Sequence, residues 1–431
     1  MAGLTLMLWA WWPQVWDGGG SDTVGGLTTS ENFVYVADRH AGSGTTILKY
    51  SPDGFLVWMQ EMNGIAVRDI EGNPGRIYAL VGDSLLARYD ASWSQIWQTE
   101  APDSVIVNGI GSDPQDNIYA AGMTTWNMGD TLYPDLWIGK YDEEGNLLWQ
   151  DRYQVENDLD MGVDVVADTD AVYVVGEKGA YLRNPGTTAV YSWTSGGAFR
   201  WIWVAPFLHT TSHCISMAPG LVNVGFTWYA PGDGKGIVRL DTAGTLLDVH
   251  YENWVYYNYP YRLLGLSDSS LVLFARDSVP LLKKMDYNLN QSWARGDFTY
   301  LWWTLITTDD SGNIIISGDW RESAQDVYTT KLTPDGQNVE IPENAFAGPP
   351  PSLFLEPNPT SGPVRMSFVL PDQGTYSLKA YDPAGRMIAL ISEGQASGPV
   401  SLEWVPDLAS GVYFIRLETG AGAITRTLLL Q

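Results

Sequence analysis

Histidine and cysteine are the side chains that most often bind metals, and this chain has four histidines and one cysteine. His209 and His213 stand four residues apart, directly before Cys214. In a strand, residues four apart face the same side, so the two imidazoles could bind one metal ion. A tetrahedral site takes three or four ligands, and no second ligand cluster is visible in the sequence. We therefore expect a satisfied or exposed histidine pair and no metal centre.

Acidic turns are the second candidate, because carboxylates can bind calcium. The clearest are Asp113 with Asp116, and the run Asp142, Glu143 and Glu144. A calcium loop needs ligands at alternate positions, a glycine turn and a closing Glu, and neither turn has that spacing. Such side chains more often accept hydrogen bonds from their own backbone. We expect turn formers and no cofactor, with calcium as the alternative.

Motifs for catalysis are sparse. The sequence has no Gly-x-Ser-x-Gly elbow and no phosphate-binding loop. The stretch Ser51-Pro52-Asp53-Gly54 resembles the Asp box of sialidase propellers only superficially, because its Asp and Gly are adjacent. A quinoprotein dehydrogenase usually has adjacent cysteines over its cofactor, which one cysteine cannot supply. Two-carboxylate glycosidase chemistry stays open, since the distance between two acids in space cannot be read from sequence. We expect no catalytic residues.

The composition excludes several classes of protein. Among 431 residues, 24 are basic and 50 are acidic, which gives a net charge of −26. A nucleic-acid partner is therefore not expected, because neutralising phosphates needs a basic surface. No apolar run reaches the roughly 18–20 residues of a membrane-spanning helix, so no transmembrane segment is expected. A single cysteine cannot form an internal disulfide, and the 45% hydrophobic fraction is enough for a sizeable core.

An internal repeat is the strongest pattern in the chain. One recurring unit is a hairpin with an apolar anchor before a polar turn, a Gly four residues later and a Trp eight residues later. Five copies carry the Gly and five carry the Trp. The anchors are spaced by 39 to 52 residues, and they are Tyr50, Tyr89, Tyr141, Trp193, Leu240, Met285 and Leu332. Glycine supplies the positive φ of such a hairpin, and we expect the tryptophans to pack in the core beside the anchors.

A second marker alternates with the first at the same period of about 47 residues. It is a β-rich run that ends in a small residue, with aligned positions Tyr35, Tyr78, Tyr119, Tyr173, Val222, Val272 and Ile315. Strands that recur at about 45 residues without helical periodicity are typical of four-stranded propeller blades. Seven copies of each marker predict seven blades. Six or eight blades are the alternatives, because the fourth to sixth copies are degenerate.

The two ends of the array suggest how the ring closes. After the last anchor, Leu332, the expected Trp position holds Glu340, so the final blade lacks a strand. Trp16 stands 19 residues before Tyr35, close to the 20 to 24 residues found in the other copies. We therefore assign Trp16 to the last blade, with residues 8–16 pairing beside residues 327–332. A ring closed by both ends of the array has no open edges that would promote aggregation.

This pattern resembles the bacterial β-propeller repeats, whose consensus joins a "D..GN.YV.G" strand to a "K.D..G...W" hairpin. Residues 108–122 and 137–149 match it best. The resemblance covers residues 1–340 and implies an all-β, seven-bladed β-propeller. It implies little about function, because one scaffold serves many roles.

The repeat pattern ends at about residue 340, and the amino-acid composition changes there. Four prolines and a glycine lie in residues 341–352, which we interpret as a Pro-rich, semi-rigid linker. Seven short alternating runs follow in residues 353–431, at 353–356, 364–370, 375–381, 387–391, 400–404, 412–418 and 424–430. Seven short strands in about eighty residues predict a small Ig-like β-sandwich.

The last domain resembles the C-terminal sorting domain of type IX secretion cargo (type A). That family has a Pro-Asn-Pro box with a following Gly, a Tyr-Asp-x-x-Gly-Arg box, a Leu-x-x-Gly-x-Tyr box and a basic residue before the end. The matching residues are Pro357, Asn358, Pro359, Gly362, Tyr381, Asp382, Gly385, Arg386, Leu408, Gly411, Tyr413 and Arg426. The family often ends in lysines, whereas this chain ends Leu428-Leu429-Leu430-Gln431. Related boxes occur in hook-capping proteins of flagella, so a plain accessory sandwich is the alternative.

The resemblance implies a route and a location. Type IX cargo enters the periplasm by an N-terminal signal, crosses the outer membrane through the type IX machinery, and is usually cleaved before its tail. We therefore expect a monomeric protein that is extracellular or on the outer-membrane surface. The first basic residue is Arg39, so a signal peptide with a charged start is not visible, and we expect it to be missing or truncated in this sequence.

The functional expectation is a non-catalytic propeller that binds a glycan or protein partner at one rim. The alternatives are a secreted hydrolase or lyase acting on polysaccharide, and a rigid spacer in a surface layer. A deep central funnel with a carboxylate pair and convergent basic groups would favour the enzyme. A shallow funnel lined by backbone and scattered apolar groups would favour binding.

Overall fold

The computed structural model describes residues 12–16, 22–41, 44–54, 56–124, 134–154, 159–179, 186–206, 210–228, 234–253, 262–276, 280–296, 298, 301–320, 326–339, 353–356, 358, 360–382, 386–406, 408–419 and 422–430. All regular elements in these residues are β-strands. None of the described segments forms a helix that would be long and apolar enough to span a bilayer.

The first 28 strands of the described residues form seven four-stranded antiparallel sheets. In chain order the strands are β1 Gln14–Trp16, β2 Asp22–Ser30, β3 Phe33–His40, β4 Gly44–Tyr50, β5 Leu56–Asn63, β6 Val67–Asn73, β7 Arg76–Val81, β8 Leu85–Asp90, β9 Gln95–Glu100, β10 Val105–Ser112, β11 Ile118–Thr124, β12 Leu136–Tyr141, β13 Leu147–Tyr153, β14 Met161–Ala167, β15 Ala171–Lys178, β16 Thr187–Thr194, β17 Phe199–Val204, β18 Thr210–Ala218, β19 Leu221–Trp228, β20 Gly234–Asp241, β21 Leu246–Asn253, β22 Arg262–Gly265, β23 Leu271–Arg276, β24 Pro280–Met285, β25 Gln291–Arg295, β26 Leu301–Thr308, β27 Ile314–Trp320 and β28 Asp326–Leu332. Six sheets are sequential hairpin stacks (β2–β5, β6–β9, β10–β13, β14–β17, β18–β21, β22–β25), and the seventh has the order β1-β28-β27-β26.

The sheets follow one another in a cycle. The first strand of each sheet contacts the first strand of the next, in the order β2, β6, β10, β14, β18, β22 and β26, and β26 contacts β2. Apolar side chains from adjacent sheets share cores, as where Tyr35 and Ile47 pack with Ile77 and Tyr89. The all-β fold is therefore confirmed, and the described sheets form a propeller-like array.

Both sequence markers occupy equivalent places in the seven sheets. The anchors lie at or next to the end of each third strand and are at most 5% exposed, and the second-marker residues lie buried in each second strand. The five marker glycines have φ between 77° and 90°. Where the glycine is missing, Trp93 and Leu289 adopt the same left-handed conformation, with φ of 61° and 58°. The left-handed backbone conformation of this turn is therefore kept even in the hairpins that lack the glycine.

The marker tryptophans join neighbouring sheets. Four of the five indoles lie under the marker glycine of the next hairpin, where an added Cβ would come within 2.6–2.9 Å of the ring, and each of the four donates its N–H to a carbonyl of that hairpin. The glycine–indole pairs are Gly145 with Trp97, Gly197 with Trp149, Gly244 with Trp201, and Gly336 with Trp293. These tryptophans are inter-sheet packing residues, so their predicted structural role is confirmed.

The partner of each tryptophan within its own sheet differs from the prediction. We expected it to pair with the anchor, but Trp58 lies opposite Lys49, one residue before the anchor Tyr50. The register shifts at this point, because a β-bulge adds one residue to the hairpin. As a result Trp58 packs edge-on against Tyr35 of the second marker, with ring centroids 6.2 Å apart.

Gly197→Ala tests the contact between adjacent sheets. Alanine there needs a left-handed backbone and also places its Cβ 2.8 Å from the Trp149 ring. Gly220→Ala is the matched control, because Gly220 has a φ of 72° but nothing within 4 Å of the added Cβ. We expect Gly197→Ala to lower the free energy of unfolding by about 1–3 kcal/mol more than Gly220→Ala, the usual cost of overpacking. Equal denaturation midpoints for the two variants would contradict the proposed packing.

The closing strand exists, but its tryptophan is not the one predicted. β1 pairs antiparallel with β28, with Trp16 opposite Val327. It is Trp12 whose indole N–H donates to the carbonyl of Pro52, at 3.2 Å, and whose ring packs on Tyr50. Pro52 stands two residues after the anchor Tyr50. The marker tryptophans of the other sheets donate to carbonyls at this same position of their hairpins. Trp16 lies in the last sheet as predicted, but the marker position belongs to Trp12, four residues earlier and before the start of β1. Residues 8–11 of the predicted pairing lie outside the described residues.

Contacts divide the chain near residue 340. Trp12–Val339 is one compact unit, and Glu340–Gln431 belongs to the other. The predicted linker, residues 341–352, lies outside the described residues. The boundaries predicted at 340 and 353 stay predictions.

The described residues of the second unit form one five-stranded antiparallel sheet. Its strands are β29 Phe354–Glu356, β30 Val364–Tyr381, β31 Met387–Trp404, β32 Gly411–Thr419 and β33 Gly422–Leu430. Two pairs of predicted short strands are thus continuous: 364–370 with 375–381 as β30, and 387–391 with 400–404 as β31. Residues 371–373 interrupt the pairing of β30 with β31 between Leu370 and Gly374 without reversing the chain. Alternate residues from both halves of β30, such as Phe368 and Leu378, join one buried core with Leu417 and Leu428.

Candidate functional site

Four ionisable side chains face one another across the centre of the array. Asp69 and Glu71 lie on β6, Asp164 lies on β14, and Arg262 begins β22. Asp69 interacts electrostatically with both Asp164 and Arg262. These residues come from the second, fourth and sixth sheets, which are not neighbours, so the interactions cross the middle of the ring. We call Asp69, Glu71, Asp164 and Arg262 the central cluster.

Bulges in the first strands bring two of these acids into place. The register of β6 skips Arg68 before Asp69, and that of β14 skips Val163 before Asp164. Each carboxylate then accepts a backbone N–H from the next sheet: Asp69 from Ile110, and Asp164 from Ile215, both at 3.2 Å. These two acids therefore tie adjacent sheets together.

Burial dominates the electrostatics of the central cluster. It raises the pKa of Asp69 to about 8, with the Asp164 charge adding to the effect, and it raises the pKa of Glu71 to about 7 against a hydrogen bond from Ser112. Burial also raises the pKa of Asp164, while Arg262 lowers it. Because the folded state binds the Asp69 proton more tightly than the unfolded chain, this residue's contribution to stability falls as pH rises from about 4 to about 8.

The predicted histidine pair cannot be assessed as a pair, because His209 lies outside the described residues. His213 is the bulged residue of β18 and contacts the Thr227 hydroxyl at 3.1 Å. Burial, with Arg262 and Lys235 nearby, lowers the pKa of His213 to about 4. Two positive neighbours make it a poor partner for a cation. Burial raises the pKa of the Cys214 thiol to about 12, so this thiol is protonated and unreactive at neutral pH.

The acidic turns form turns as predicted. Oδ1 of Asp113 accepts the backbone N–H groups of Gln115 and Asn117 at 2.9 and 3.0 Å. Asp142 accepts those of Glu144 and Asn146 in the same way. Hydrogen bonds to the charged form lower the pKa of Asp142. Oδ1 of each carboxylate is therefore committed to the backbone of its own turn, while Oδ2 of Asp113 accepts the Tyr119 hydroxyl and lies 3.5 Å from the Lys140 ammonium.

A concavity lies where the first strands of four successive sheets, β10, β14, β18 and β22, end. Its volume is about 330 Å³. The lining consists of Pro114, Ala167, Asp168, Met217, Ala218, Pro219, Gly220, Gly265, Leu266 and Ser267. Apart from Asp168 and Ser267, this lining is backbone and apolar side chain. We call it the rim concavity.

The first sorting box ties the start of the tail to its last strand. The side-chain amide of Asn358 donates to the carbonyl of Thr427 at 2.8 Å, and its oxygen accepts the N–H of Leu429 at 2.9 Å. The N–H of Gly362 donates to the Thr360 hydroxyl at 3.1 Å. Pro357 and Pro359 lie outside the described residues.

The second box closes the loop between β30 and β31. Asp382 follows Tyr381, the last residue of β30, and accepts the backbone N–H of Arg386 at 2.9 Å. The guanidinium of Arg386 also pairs with this carboxylate, at 2.7 Å. Gly385 lies outside the described residues.

The remaining motif residues stabilise the other end of the domain. Leu408 packs against the buried core, and Gly411 begins β32. The hydroxyl of Tyr413 donates to the carbonyl of Ala409 at 2.8 Å. Arg426 donates to the carbonyl of Leu353 at 3.2 Å, which joins the last strand to the beginning of the domain. The roles of all these residues in sorting stay predictions.

Comparison with known proteins gives different results for the two units. The secretion system C-terminal sorting domain family matches residues 355–431. None of the curated proteins matches this sequence. Among solved structures, a catalytically inactive virginiamycin B lyase from Staphylococcus aureus, with quinupristin, has a TM-score of 0.51 at 14% identity, covering 74% of this chain and 98% of that chain.

Two further structures are less similar. A streptogramin B lyase has a TM-score of 0.49 at 14% identity, covering 75% of this chain and 99% of that chain. BamB from Moraxella catarrhalis has a TM-score of 0.44 at 10% identity, covering 72% of this chain and 85% of that chain. At these identities the likeness concerns the fold alone. Residues 355–431 are therefore a type IX secretion C-terminal sorting domain, carried by a chain whose other described sheets form a propeller-like repeat array.

Proposed function

We propose that this chain is a seven-bladed β-propeller that the type IX machinery exports to the cell surface or the medium, where it binds a macromolecular partner without catalysing a reaction. The sorting domain supports the export. The sevenfold cycle of described sheets supports the blade number. The partner is a protein or a glycan at the rim, and the small, non-aromatic lining of the rim concavity favours a protein.

The observation that carries the binding function is the rim concavity itself. Its lining of backbone and apolar side chains offers hydrogen-bond groups and apolar area but no convergent pair of acids. The marker tryptophans, which would be natural platforms for sugar rings, are occupied between sheets. A segment of a partner protein therefore finds better contacts here than a sugar does.

The contacts of the central cluster argue against catalysis. Asp69 and Asp164 each hold a backbone N–H of the neighbouring sheet. Each acid therefore has a structural role, joining neighbouring sheets, that accounts for its position without a reaction. Such groups are better suited to stabilising the ring than to reacting.

One observation favours a hydrolase or lyase as the second candidate. The central cluster holds three acids and an arginine, and burial raises the pKa of two of the acids into the neutral range, to about 8 for Asp69 and about 7 for Glu71. Groups with pKa values near neutrality are frequent in active sites. The virginiamycin B lyase of similar fold is also a lyase by name, but an identity of 14% does not transfer that activity to this chain.

Substitutions at the two places separate these functions. Ser267→Arg puts a bulky charge on the exposed edge of the rim concavity, and Ser92→Arg puts the same charge on an exposed hairpin elsewhere. We expect Ser267→Arg to weaken binding of the labelled full chain to bacterial cells by at least about 10-fold, the effect of losing one important interface contact. We expect Ser92→Arg and Asp69→Asn to bind like the unmodified chain. Turnover of a polysaccharide panel that Asp69→Asn abolishes would instead establish the enzyme.

A further inference from the structure

Two acids and a histidine meet in the first sheet, outside the central cluster. Asp22 is the first residue of β2 and lies directly opposite His40, the last residue of β3. Asp38 stands two residues before His40, so both side chains project from the same face of β3. The oxygen and nitrogen atoms of the three side chains lie within 4.8 Å of one another.

This group lies at the seam between the first and last sheets. The N–H of Val24, opposite Asp38 on β2, donates to Asp319 of β27 at 3.0 Å. The indole of Trp16, from the closing strand, lies beside Asp38 and favours its charged form. Elements from both ends of the ring therefore surround one small polar volume.

The state of Asp38 is the observation that points to a ligand. Its side chain is completely buried, and neither carboxylate oxygen accepts a hydrogen bond of normal geometry. An unsatisfied buried carboxylate is costly unless a cation compensates it. The His40 ring lies beside both acids, and a cation bound between the three side chains would supply the compensating charge.

The histidine is arranged as metal-binding histidines usually are. Its Nε2 lies 2.7 Å from the Thr46 hydroxyl, and its Nδ1 lies 2.8 Å from Asp22 and 3.6 Å from Asp38. A metal-ligating histidine normally donates its other ring N–H to an oxygen, which fixes the ring. Ligand atoms of a tetrahedral zinc ion lie about 3.4 Å apart, as its bond lengths require. The two Nδ1 distances span that value.

We propose that Asp22, Asp38 and His40 bind a divalent transition-metal ion, with Zn²⁺ as the ion that best matches one imidazole and two carboxylates, at the seam that closes the ring. Calcium and magnesium fit less well, because they prefer oxygen donors only. The 17% exposure of the His40 side chain gives the ion access from solvent. A bound ion there neutralises two acids of the first sheet, beside the point where Val24 donates to Asp319 of the last sheet.

Metal titration of the full chain tests this site. The protein is stripped with EDTA, and ZnCl₂ is then added in a calorimeter and in a thermal-unfolding assay. We expect one saturable zinc site and a higher unfolding temperature with zinc. Asp38→Asn and His40→Gln should weaken zinc binding by at least about 100-fold, and Thr46→Val, which changes only the residue that positions His40, by about 10- to 100-fold.

The control is Asp248→Asn, which removes an exposed acid from β21, and it should bind zinc like the unmodified chain. In the metal-free state, Asp38→Asn should unfold at a higher temperature than the unmodified chain, because it removes a charge that repels Asp22. If Asp38→Asn does not fold, Thr46→Val decides the question. No saturable zinc binding, binding that these variants leave unchanged, or equal saturation by calcium would overturn the proposal.

Discussion

Replacing Trp12 by alanine should lower the free energy of unfolding of the propeller unit by about 3–5 kcal/mol, as loss of a buried aromatic side chain does. Trp12 is only 9% exposed, its ring packs on Tyr50 at a centroid distance of 5.5 Å, and its N–H bonds the carbonyl of Pro52. Tyr50 and Pro52 belong to the first sheet, whereas β1 belongs to the last. The substitution therefore removes a contact that closes the ring. Urea denaturation followed by tryptophan fluorescence measures the effect.

A neighbouring residue supplies the control. Val15 lies in the same closing strand but is 51% exposed, so Val15→Ala should change the stability by no more than about 0.5 kcal/mol. Deletion of residues 1–16 should be at least as destabilising as Trp12→Ala, because it also removes the pairing of β1 with β28. If Trp12→Ala unfolds at the same urea concentration as Val15→Ala, Trp12 does not hold the ring closed.

Deleting residues 353–431 should abolish export in a bacterium that has the type IX machinery, when the full and the shortened chain both carry an added N-terminal signal peptide for entry into the periplasm. The deletion removes the sorting domain, and the propeller unit has its own cores and hydrogen-bonded sheets, so it should stay folded and accumulate in the periplasm. Immunoblots of periplasm, outer membrane and culture medium measure the distribution. The extracellular signal should fall to the background of the assay.

Two further chains make this experiment decisive. Glu403→Ala changes an exposed residue of the tail and should be exported normally. A reporter protein fused to residues 353–431 should gain export. Export of the deleted chain at the normal level would show that the signal lies elsewhere in the protein.

The repeat could be predicted from the sequence because its marker residues lie close together along the chain. Anchor, glycine and tryptophan recur at fixed short distances, and such distances determine a hairpin within one sheet. The choice between Trp12 and Trp16 was harder, because it concerns the pairing of chain ends more than 300 residues apart. Even so, Trp12 stands 23 residues before Tyr35, within the 20 to 24 of the other copies, whereas Trp16 stands 19 before it.

The central cluster and the seam site could not be predicted, for two different reasons. Asp69 and Asp164 are distant in sequence and meet only because the ring brings non-neighbouring sheets together. Asp38 and His40 stand two residues apart on β3 and therefore share one face of the strand. This spacing of an acid and a histidine can be detected in the sequence. Their third partner, Asp22, depends on the register between β2 and β3, however, and sequence does not specify that register by residue.

The sorting domain contains a stretch whose composition predicts a turn but which lies within a strand. Pro371-Asp372-Gln373-Gly374 has the composition of a turn that reverses the chain, yet β30 continues through it. Both halves of β30 pair with β31, so hydrogen bonding to one long partner outweighs the local preference. The apolar alternation on either side was interpreted correctly, since both halves contribute to the same core.

Mass spectrometry of the culture medium, the outer-membrane fraction and the cytosol tests the central claim most directly, in bacteria that have the type IX machinery and express the full chain behind an added N-terminal signal peptide. Export by the sorting domain predicts peptides from residues 12–339 outside the cell, in a species that ends within residues 342–352. Full-length protein confined to the cytosol would contradict it.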